Sequence, residues 1–420
     1  QFNLLLYAAG GTFDDGNNFT YDVDGDGKIT SLDAYGSTRI VLFDIGNPAK
    51  PMVGGGNLAR ATSAQITQFL AGERDITEFF YGVDSRDVYL MRQQKLALVA
   101  NGADGLCVLD AADPTSFKYL GNQKSDGQFA LRVVGENNHA HTLSVGGEGF
   151  VFPPSKRLPG VQTAGEIFTV DFRVRTDPVL VDKPPFQGAQ NPMAMKRLGR
   201  FMLVGAGANV VLDDYAEVEP RYPRNLATLG GEVKTIPNQQ TGMFAVYDWA
   251  TRPRTKVAEL RFGSGISDIA LVGSTAILAA NHDGLIILDV TDPAAPRFIR
   301  QVKLTTNDAV NPGRPARLRV YGSLLFAAAR EGGVQIYDIT DPTNPIVINA
   351  GNTQFAGDIE VVKDAVAVAS GGNGLYTYTT PFLAIRAIEP DLGALVPPES
   401  ALRVTFNRNV APPSVAGNVR

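Results

Sequence analysis

The chain is poor in the residue types on which most catalytic and disulfide-stabilised sites are built. Its 420 residues include one cysteine, one tryptophan and three histidines. A single cysteine excludes a disulfide within the chain, and Cys107 stands in the apolar run "GLCVLD", which predicts a small buried filler. The chain has few histidines and lacks both a G-x-S-x-G motif and a phosphate-binding loop. It therefore shows none of the usual sequence signatures of nucleophilic catalysis or nucleotide binding.

The chain also lacks an excess of positive charge and long apolar runs. Its formal net charge is −5 and its pI is about 5.4, so no basic surface is expected to attract nucleic acid or anionic lipid. No apolar run is long enough to cross a bilayer, and the first residues lack the basic, apolar and small-residue order of a secretion signal. We therefore expect no nucleic-acid partner and no membrane insertion in this segment.

Glycine and proline are abundant, and a motif recurs between them. The 44 glycines and 26 prolines separate short runs rich in Val, Leu and Ile, which predicts many short strands and an all-β fold. The clearest copies of the motif are "HDGLIILDVTDPAAPRFI", "EGGVQIYDITDPTNPIVI", "ADGLCVLDAADPTSFKYL" and "GSTRIVLFDIGNPAKPMV", and looser copies begin at Ala164, Thr241 and Gly372. Such self-similarity indicates a repeat architecture.

An aspartate marks the same place in six copies of the motif. These residues are Asp44, Asp110, Asp171, Asp248, Asp289 and Asp338. Subtracting successive numbers gives separations of 66, 61, 77, 41 and 49 residues. A basic period of roughly 40–50 residues is that of a four-stranded propeller blade, and the longer separations indicate insertions.

The repeats resemble those of bacterial LVIVD-repeat proteins, which are β-propellers. The resemblance covers residues 1–382 and is strong in four copies and loose in three. Seven units predict a seven-bladed β-propeller, and six or eight blades follow if a loose copy is misassigned. The stretch "NLLLYAAGG" aligns with the second strand of the other units, so the first blade starts without its first strand.

Residues 383–420 resemble the start of a bacterial Ig-like domain. The segment "AIEPDLGALVPPESALRVTF" places a Pro-acidic turn before an alternating strand, and it ends too early to complete a β-sandwich. This resemblance implies that the chain is part of a longer protein in which further Ig-like domains follow.

Residues 11–36 form an insert with the spacing of a calcium-binding loop. Calcium prefers six to eight oxygen ligands, and an EF-type loop takes them from positions 1, 3, 5, 7, 9 and 12 with glycine at position 6. Gly27 takes the glycine position, and the predicted ligands are Asp22, Asp24, Asp26, the Lys28 carbonyl, Thr30 and Asp33. The loop resembles dockerin and EF-hand-like loops. It lacks the second loop of a dockerin and the flanking helices of a calcium sensor, which favours a structural brace.

Two further inserts are predicted. Residues 57–85 carry apolar triplets at helical spacing, which predicts two short helices that cover a propeller face or offer a partner groove. Residues 205–240 form a long acidic loop, which is either a solvated surface or a binding surface. Its carboxylates are Asp213, Asp214, Glu217 and Glu219.

Alignment of the predicted first strands yields a candidate ligand site. Five polar residues fall at equivalent positions that would face a central channel: Asp87, His141, Asp268, Arg317 and Asp358. They could bind a small ligand or ion, or line a water-filled tunnel. His139 and His141 also share one strand face, as a zinc pair would, but no third ligand is visible.

These observations favour a calcium-braced scaffold or interaction module over an enzyme. The resemblance implies a secreted or cell-surface bacterial protein with an adhesive or assembly-forming role and a protein or glycan partner. A propeller enzyme that acts on carbohydrate or another extracellular polymer through loop carboxylates is the alternative. A purely architectural role within a larger assembly is a third possibility.

Overall fold

The structure of the protein is a computed structural model. It describes residues 5–11, 38–44, 52–56, 87–101, 105–113, 117–125, 128–145, 165–184, 191–207, 242–304, 313–330, 332–350, 356–362, 365–369, 375–379, 385–389 and 403–406. The chain divides into two compact units, Gln1–Ile266 and Ser267–Arg420.

The described residues of the first unit form four antiparallel sheets. The first sheet is β1 (Leu5–Gly11), β2 (Thr38–Asp44) and β3 (Met52–Gly56). The second is β4 (Asp87–Met91), β5 (Leu96–Ala100), β6 (Leu106–Asp110) and β7 (Lys118–Gln123). The third is β8 (Phe129–Glu136), β9 (His139–Val145), β10 (Glu166–Asp171) and β11 (Val179–Asp182). The fourth is β12 (Asn191–Leu198), β13 (Phe201–Gly207), β14 (Gly242–Asp248) and β15 (Thr255–Phe262).

The second unit continues the same pattern. One sheet is β16 (Asp268–Val272), β17 (Thr275–Ala279), β18 (Leu285–Asp289) and β19 (Arg297–Val302). The next is β20 (Arg317–Tyr321), β21 (Leu324–Ala328), β22 (Val334–Asp338) and β23 (Ile346–Ala350). A three-stranded sheet follows, with β24 (Asp358–Val362), β25 (Ala365–Ala369) and β26 (Leu375–Thr379). The pair β27 (Ile385–Glu389) and β28 (Arg403–Phe406) lies in the predicted Ig-like region.

The fold is all-β with a β-propeller arrangement. Each sheet is a meander in which strands adjacent in sequence are paired, and the first strands of successive sheets contact one another within each unit. Sheets β4–β7, β8–β11 and β12–β15 have four strands, as do β16–β19 and β20–β23. The aspartate that ends β2 identifies it as the third strand of its repeat, so β1 takes the second-strand position that the sequence predicts.

One irregularity recurs at the same place in six sheets. The pairing between the third strand and the outer strand shifts by one residue shortly before the repeated aspartate. The shift lies between Ile287 and Leu288, ahead of Asp289, and between Ile336 and Tyr337, ahead of Asp338. Equivalent shifts occur in the other four sheets that have an outer strand. A β-bulge bends its strand and increases its twist, so each outer strand turns at the same point.

The core consists of the sheet faces that pack against each other. The second strands β5, β17 and β21 are buried along their whole length, since sheets cover both of their faces. Leu325 and Ile277 belong to one cluster between neighbouring sheets, and complete burial of such a side chain stabilises the fold by about 1.5–3 kcal/mol. Cys107 is buried in a similar cluster and forms no disulfide, as its apolar setting predicts.

The long connections of the first unit leave from one end of its sheets. We call this the insert end. At this end of each sheet the first strand begins, the second strand ends and the third strand begins. Residues 12–37, 146–164 and 208–241 each join a second to a third strand, and residues 57–86 join an outer strand to the next first strand. Gly11 pairs with Thr38, and Gly207 pairs with Gly242, so two of these connections start and finish on paired residues.

Several predicted inserts lie outside the described residues. These include residues 12–37, the predicted helical segment 57–85 and the acidic segment from residue 208 onward. Because β13 continues to Gly207, the acidic insert starts three residues later than the predicted boundary at residue 205. The described ranges contain no α-helix, only two 3-10 turns, and they hold no helix with the length and apolarity to span a membrane.

Candidate functional site

The repeated aspartates organise the turn that follows each third strand. In five sheets the aspartate Oδ1 accepts a hydrogen bond of 2.8–3.0 Å from the backbone N–H two residues later. This is an Asx turn, which replaces backbone pairing where the chain leaves the sheet. Asp289 also accepts bonds from the Thr291 hydroxyl and from Arg297, and the Thr291 bonds lead the effects that lower its pKa to about 2. The aspartates are therefore structural.

Four of the five predicted channel residues begin a first strand, which is the strand position that the alignment gave them; that they line a channel stays a prediction. Asp87, Asp268, Arg317 and Asp358 are the first residues of β4, β16, β20 and β24. Each of the four thus lies at the end of its sheet where the first strand begins. Their position follows from the repeat, because the first strand of each sheet begins at an equivalent residue.

Two of these aspartates link adjacent first strands through the backbone. Asp87 Oδ2 accepts a hydrogen bond of 3.1 Å from the Val133 N–H in β8. Asp268 Oδ2 accepts one of 2.8 Å from the Leu318 N–H in β20, and its Oδ1 accepts one from the Ile269 N–H. The same bond thus recurs in both units, and in each it gives a backbone N–H of the next first strand a side-chain acceptor.

In the second unit the charged residues form an ion network around Arg319. The guanidinium lies 3.6 Å from Asp268 Oδ2, 3.4 Å from Asp358 Oδ1 and 3.0 Å from Glu360 Oε2. Arg317 adds a further pair, with Nε 3.6 Å from Asp358 Oδ2. These five residues, which we call the first-strand network, connect the first strands of three successive sheets.

The charges of this network compensate one another. Burial alone would lower the pKa of Arg319, but the carboxylates of Asp358, Asp268 and Glu360 raise it overall. Its Nη1 also donates 3.0 Å to the Leu318 carbonyl. A guanidinium held by three carboxylates and a backbone oxygen fastens the strands together. The sequence alignment missed Arg319 and Glu360, which are the third residues of their strands, because only the first residues were compared.

The placement of His141 in the predicted channel set is wrong. His141 lies on β9, the second strand of its sheet, and pairs with Val134 and Thr169 in the neighbouring strands. In the strand register, Arg132 on β8 takes the position that Asp87 has on β4. The alignment failed because β8 and β9, at eight and seven residues, are longer than the five-residue strands β4 and β5, and a register shift interrupts their pairing. The second strand was therefore taken for the first.

His141 instead belongs to a buried polar cluster between the third and fourth sheets. It is 1% exposed, and its Nδ1 lies 3.0 Å from Thr169 Oγ1 while its Nε2 lies 3.4 Å from Glu136 Oε2. Its ring packs against Trp249 in a T-shaped arrangement, with ring centroids 5.3 Å apart. The bond from His141 lowers the pKa of Glu136, whose Oε1 lies 3.6 Å from Arg197 Nε.

Arg254 also belongs to this cluster, through contacts with Trp249 and Asp182. Its guanidinium lies 4.4 Å from the centre of the Trp249 ring, and its Nε donates 3.0 Å to Asp182 Oδ2. Arg252 pairs with the same carboxylate oxygen. Burial and the neighbouring Arg252 lower the pKa of Arg254. The cluster joins residues from both sheets, all within the first unit.

No zinc or calcium centre is formed by the residues that the structure describes. His139 faces Asp171 at 3.9 Å, and neither histidine of β9 is grouped with enough further ligands to hold a metal. The predicted calcium ligands Asp22, Asp24, Asp26, Lys28, Thr30 and Asp33, together with the acidic loop carboxylates, lie outside the described residues.

Comparison with known proteins supports the repeat and the fold. Residues 265–303 and 312–353 match the LVIVD repeat, and these stretches contain the sheets β16–β19 and β20–β23. No curated protein gives a significant match. A candidate 6-phosphogluconolactonase from Bacteroides uniformis is similar, with a TM-score of 0.56, 11% identity, and coverage of 90% of this chain and 92% of that chain.

A second structure, a candidate 6-phosphogluconolactonase from Bacteroides fragilis, has a TM-score of 0.53 and 11% identity, with 87% of each chain covered. At this level of identity the likeness concerns the fold alone. The repeat match, the recurring bulge and the meander sheets agree with one another. The chain therefore carries LVIVD repeats in a β-propeller arrangement.

Proposed function

We propose that the protein is a calcium-braced β-propeller interaction module of a secreted or cell-surface bacterial protein. The observation that carries this proposal is the insert end, where the four long connections of the first unit leave a rigid set of sheets. Binding residues are commonly found on loops that a rigid scaffold positions. The partner is a protein or a glycan, and the role is adhesive or assembly-forming.

We propose that the propeller has seven blades and that an Ig-like domain follows it. In support of this count, the described residues form seven sheets before the pair β27–β28, five with four strands and two with three. The pair β27–β28 is compatible with the first strands of an Ig-like sandwich. In a cell-surface protein, such a domain would join the propeller to further Ig-like domains of the same chain.

Calcium binding by the residues 22–33 loop has a direct test. Calcium binding to this loop should raise the melting temperature of the protein. A ligand that binds only the folded state stabilises that state by about 2.7 kcal/mol when its concentration is 100 times its Kd. Chelation with EGTA should abolish this gain. The double variant Asp24→Asn/Asp26→Asn should lose the response, whereas Asp14→Asn/Asp15→Asn, which neutralises two carboxylates outside the loop, should keep it. Equal melting curves with and without calcium would refute the brace.

The enzyme alternative is distinguished by turnover. Incubation with a panel of bacterial and host polysaccharides and with extracellular proteins should give saturable binding without cleavage if the molecule is an interaction module. Release of shorter products, lost when Asp213 and Glu217 are both replaced by their amides, would favour a polymer-degrading enzyme that uses loop carboxylates.

A further inference from the structure

His141 is a buried histidine held between two sheets, and each element around it presents a polar or charged group. Glu136 comes from the end of β8, and Thr169 comes from β10. Trp249 comes from the turn after β14, and Arg254 directly precedes β15. The further charges facing this region are His139 on the same strand, Asp182 on β11, Arg197 on β12 and Arg252.

The partners of His141 define its protonation state. The carboxylate of Glu136 can only accept, so the imidazole Nε2 carries the proton and donates to it. Nδ1 then accepts a hydrogen bond from the Thr169 hydroxyl at 3.0 Å. Both ring nitrogens are satisfied when the imidazole is neutral.

A second proton would disturb this arrangement. It would turn Nδ1 from an acceptor into a donor, so the Thr169 hydroxyl would have to rotate and find another acceptor for its own proton. The imidazolium would remain buried near Arg254. Among the described residues, the one carboxylate in hydrogen-bond contact with it is that of Glu136, which also faces Arg197. Burial lowers the pKa of His141, and Glu136 offsets only part of that effect.

We propose that protonation of His141 opens the contact between the sheets β8–β11 and β12–β15, so that this part of the molecule loosens in mildly acidic solution. The opened state exposes the imidazolium to water and separates it from Trp249. This property is independent of the proposed partner and of calcium.

The direction of the effect follows from proton linkage. Because the pKa of His141 is lower in the closed state than the value of about 6.5 for an exposed histidine, the closed contact is fully stable above that pH. Its stability falls as the pH drops below that value. One proton is taken up on opening, so the opening equilibrium constant rises up to about tenfold per pH unit.

Trp249 provides a selective reporter, because it is the single tryptophan of the chain and is 4% exposed next to His141. Between about pH 7.5 and about pH 5, we expect its emission in the wild type to shift to longer wavelength. Backbone amides of β9 should lose hydrogen-exchange protection over the same range. His141→Gln, which keeps an amide donor and acceptor, should remove the pH dependence, while the control His139→Gln should retain it.

A wild-type emission maximum that stays constant over this range would overturn the proposal, as would the same shift in His141→Gln. If that variant does not fold, the three histidine ring signals in the NMR spectrum of the wild type decide the question. The signal of His141 must change together with the Trp249 emission. Titration of His141 with no change in emission or amide protection would equally refute the opening.

Discussion

At the scale of single residues, the repeated aspartates act through their hydrogen-bond geometry. The sequence pattern located every one of them, because aspartate at the end of a strand is a short-range signal that belongs to the turn itself. The sequence could not identify Arg319 as the centre of the first-strand network. Its partners lie on strands about fifty residues before and forty residues after it in the chain, and no local pattern records such contacts.

The contribution of the Asp289 charge to the turn after β18 can be tested by varying the pH. Its pKa is about 2 in the folded protein and about 3.9 in an unfolded chain, so its charge stabilises the fold above about pH 4. This contribution is lost as the pH falls through about 2. Asp289→Asn keeps an Oδ1 acceptor but loses the charge, and we expect its melting temperature at pH 7 to be lower by roughly 1–2 °C.

The pH dependence separates this effect from a general loss of packing. The melting temperatures of the wild type and Asp289→Asn should converge as the pH approaches about 2. Asp177→Asn provides the control, since Asp177 is an exposed turn residue outside the repeated position. A difference between Asp289→Asn and the wild type that persists at the acid end would contradict the charge-based account.

At the scale of elements, the strand order and the turns repeat so regularly that the sequence was sufficient to find most sheets. The exception is β8–β9. There the strands are eight and seven residues long, and a register shift interrupts their pairing. These differences hid the first strand and moved His141 into the wrong set. A histidine buried between sheets has no sequence signature of its own.

The first-strand network allows the contribution of the Arg319 side chain to the stability of three neighbouring sheets to be tested. Arg319→Met keeps most of the aliphatic length but leaves Asp268, Asp358 and Glu360 without their shared cation. We expect a loss of roughly 1–3 kcal/mol in the free energy of unfolding, since the guanidinium is partly exposed and water screens the loss. Urea denaturation followed by circular dichroism would measure it.

Arg300→Met is a matched control for that experiment. Arg300 is an exposed arginine on β19 that bonds to Asn344 and stands outside the network. We expect its effect to stay within about 0.5 kcal/mol. Equal effects of the two substitutions would show that the network contributes nothing beyond an ordinary surface arginine.

At the scale of the whole molecule, the long connections are separable from the sheets that carry them. Because Gly207 pairs with Gly242, residues 208–241 can be replaced by the two-residue turn Asn-Gly, which suits a tight hairpin. We expect this variant to fold, with a circular dichroism spectrum of the same β type and a melting temperature within a few degrees of the parent. Any partner that binds the acidic insert would be lost.

The outcome would be informative in either direction. Retained folding with lost partner binding would assign recognition to the insert. Aggregation or loss of the cooperative melting transition would show that residues 208–241 are needed for the sheet β12–β15 to form. A parallel replacement of residues 12–37, between the paired Gly11 and Thr38, should fold equally well and lose the calcium response.

The pairing at the base of the long connections has a practical consequence. Closing a flexible loop becomes only about 0.6 kcal/mol more costly for each doubling of its length, so the hairpins β1–β2 and β13–β14 should tolerate foreign sequences of very different size. A peptide epitope or a small binding domain grafted between Gly207 and Gly242 would be held by a strand pair whose register is already fixed. The first unit could therefore serve as a display scaffold with several permissive grafting points on one side.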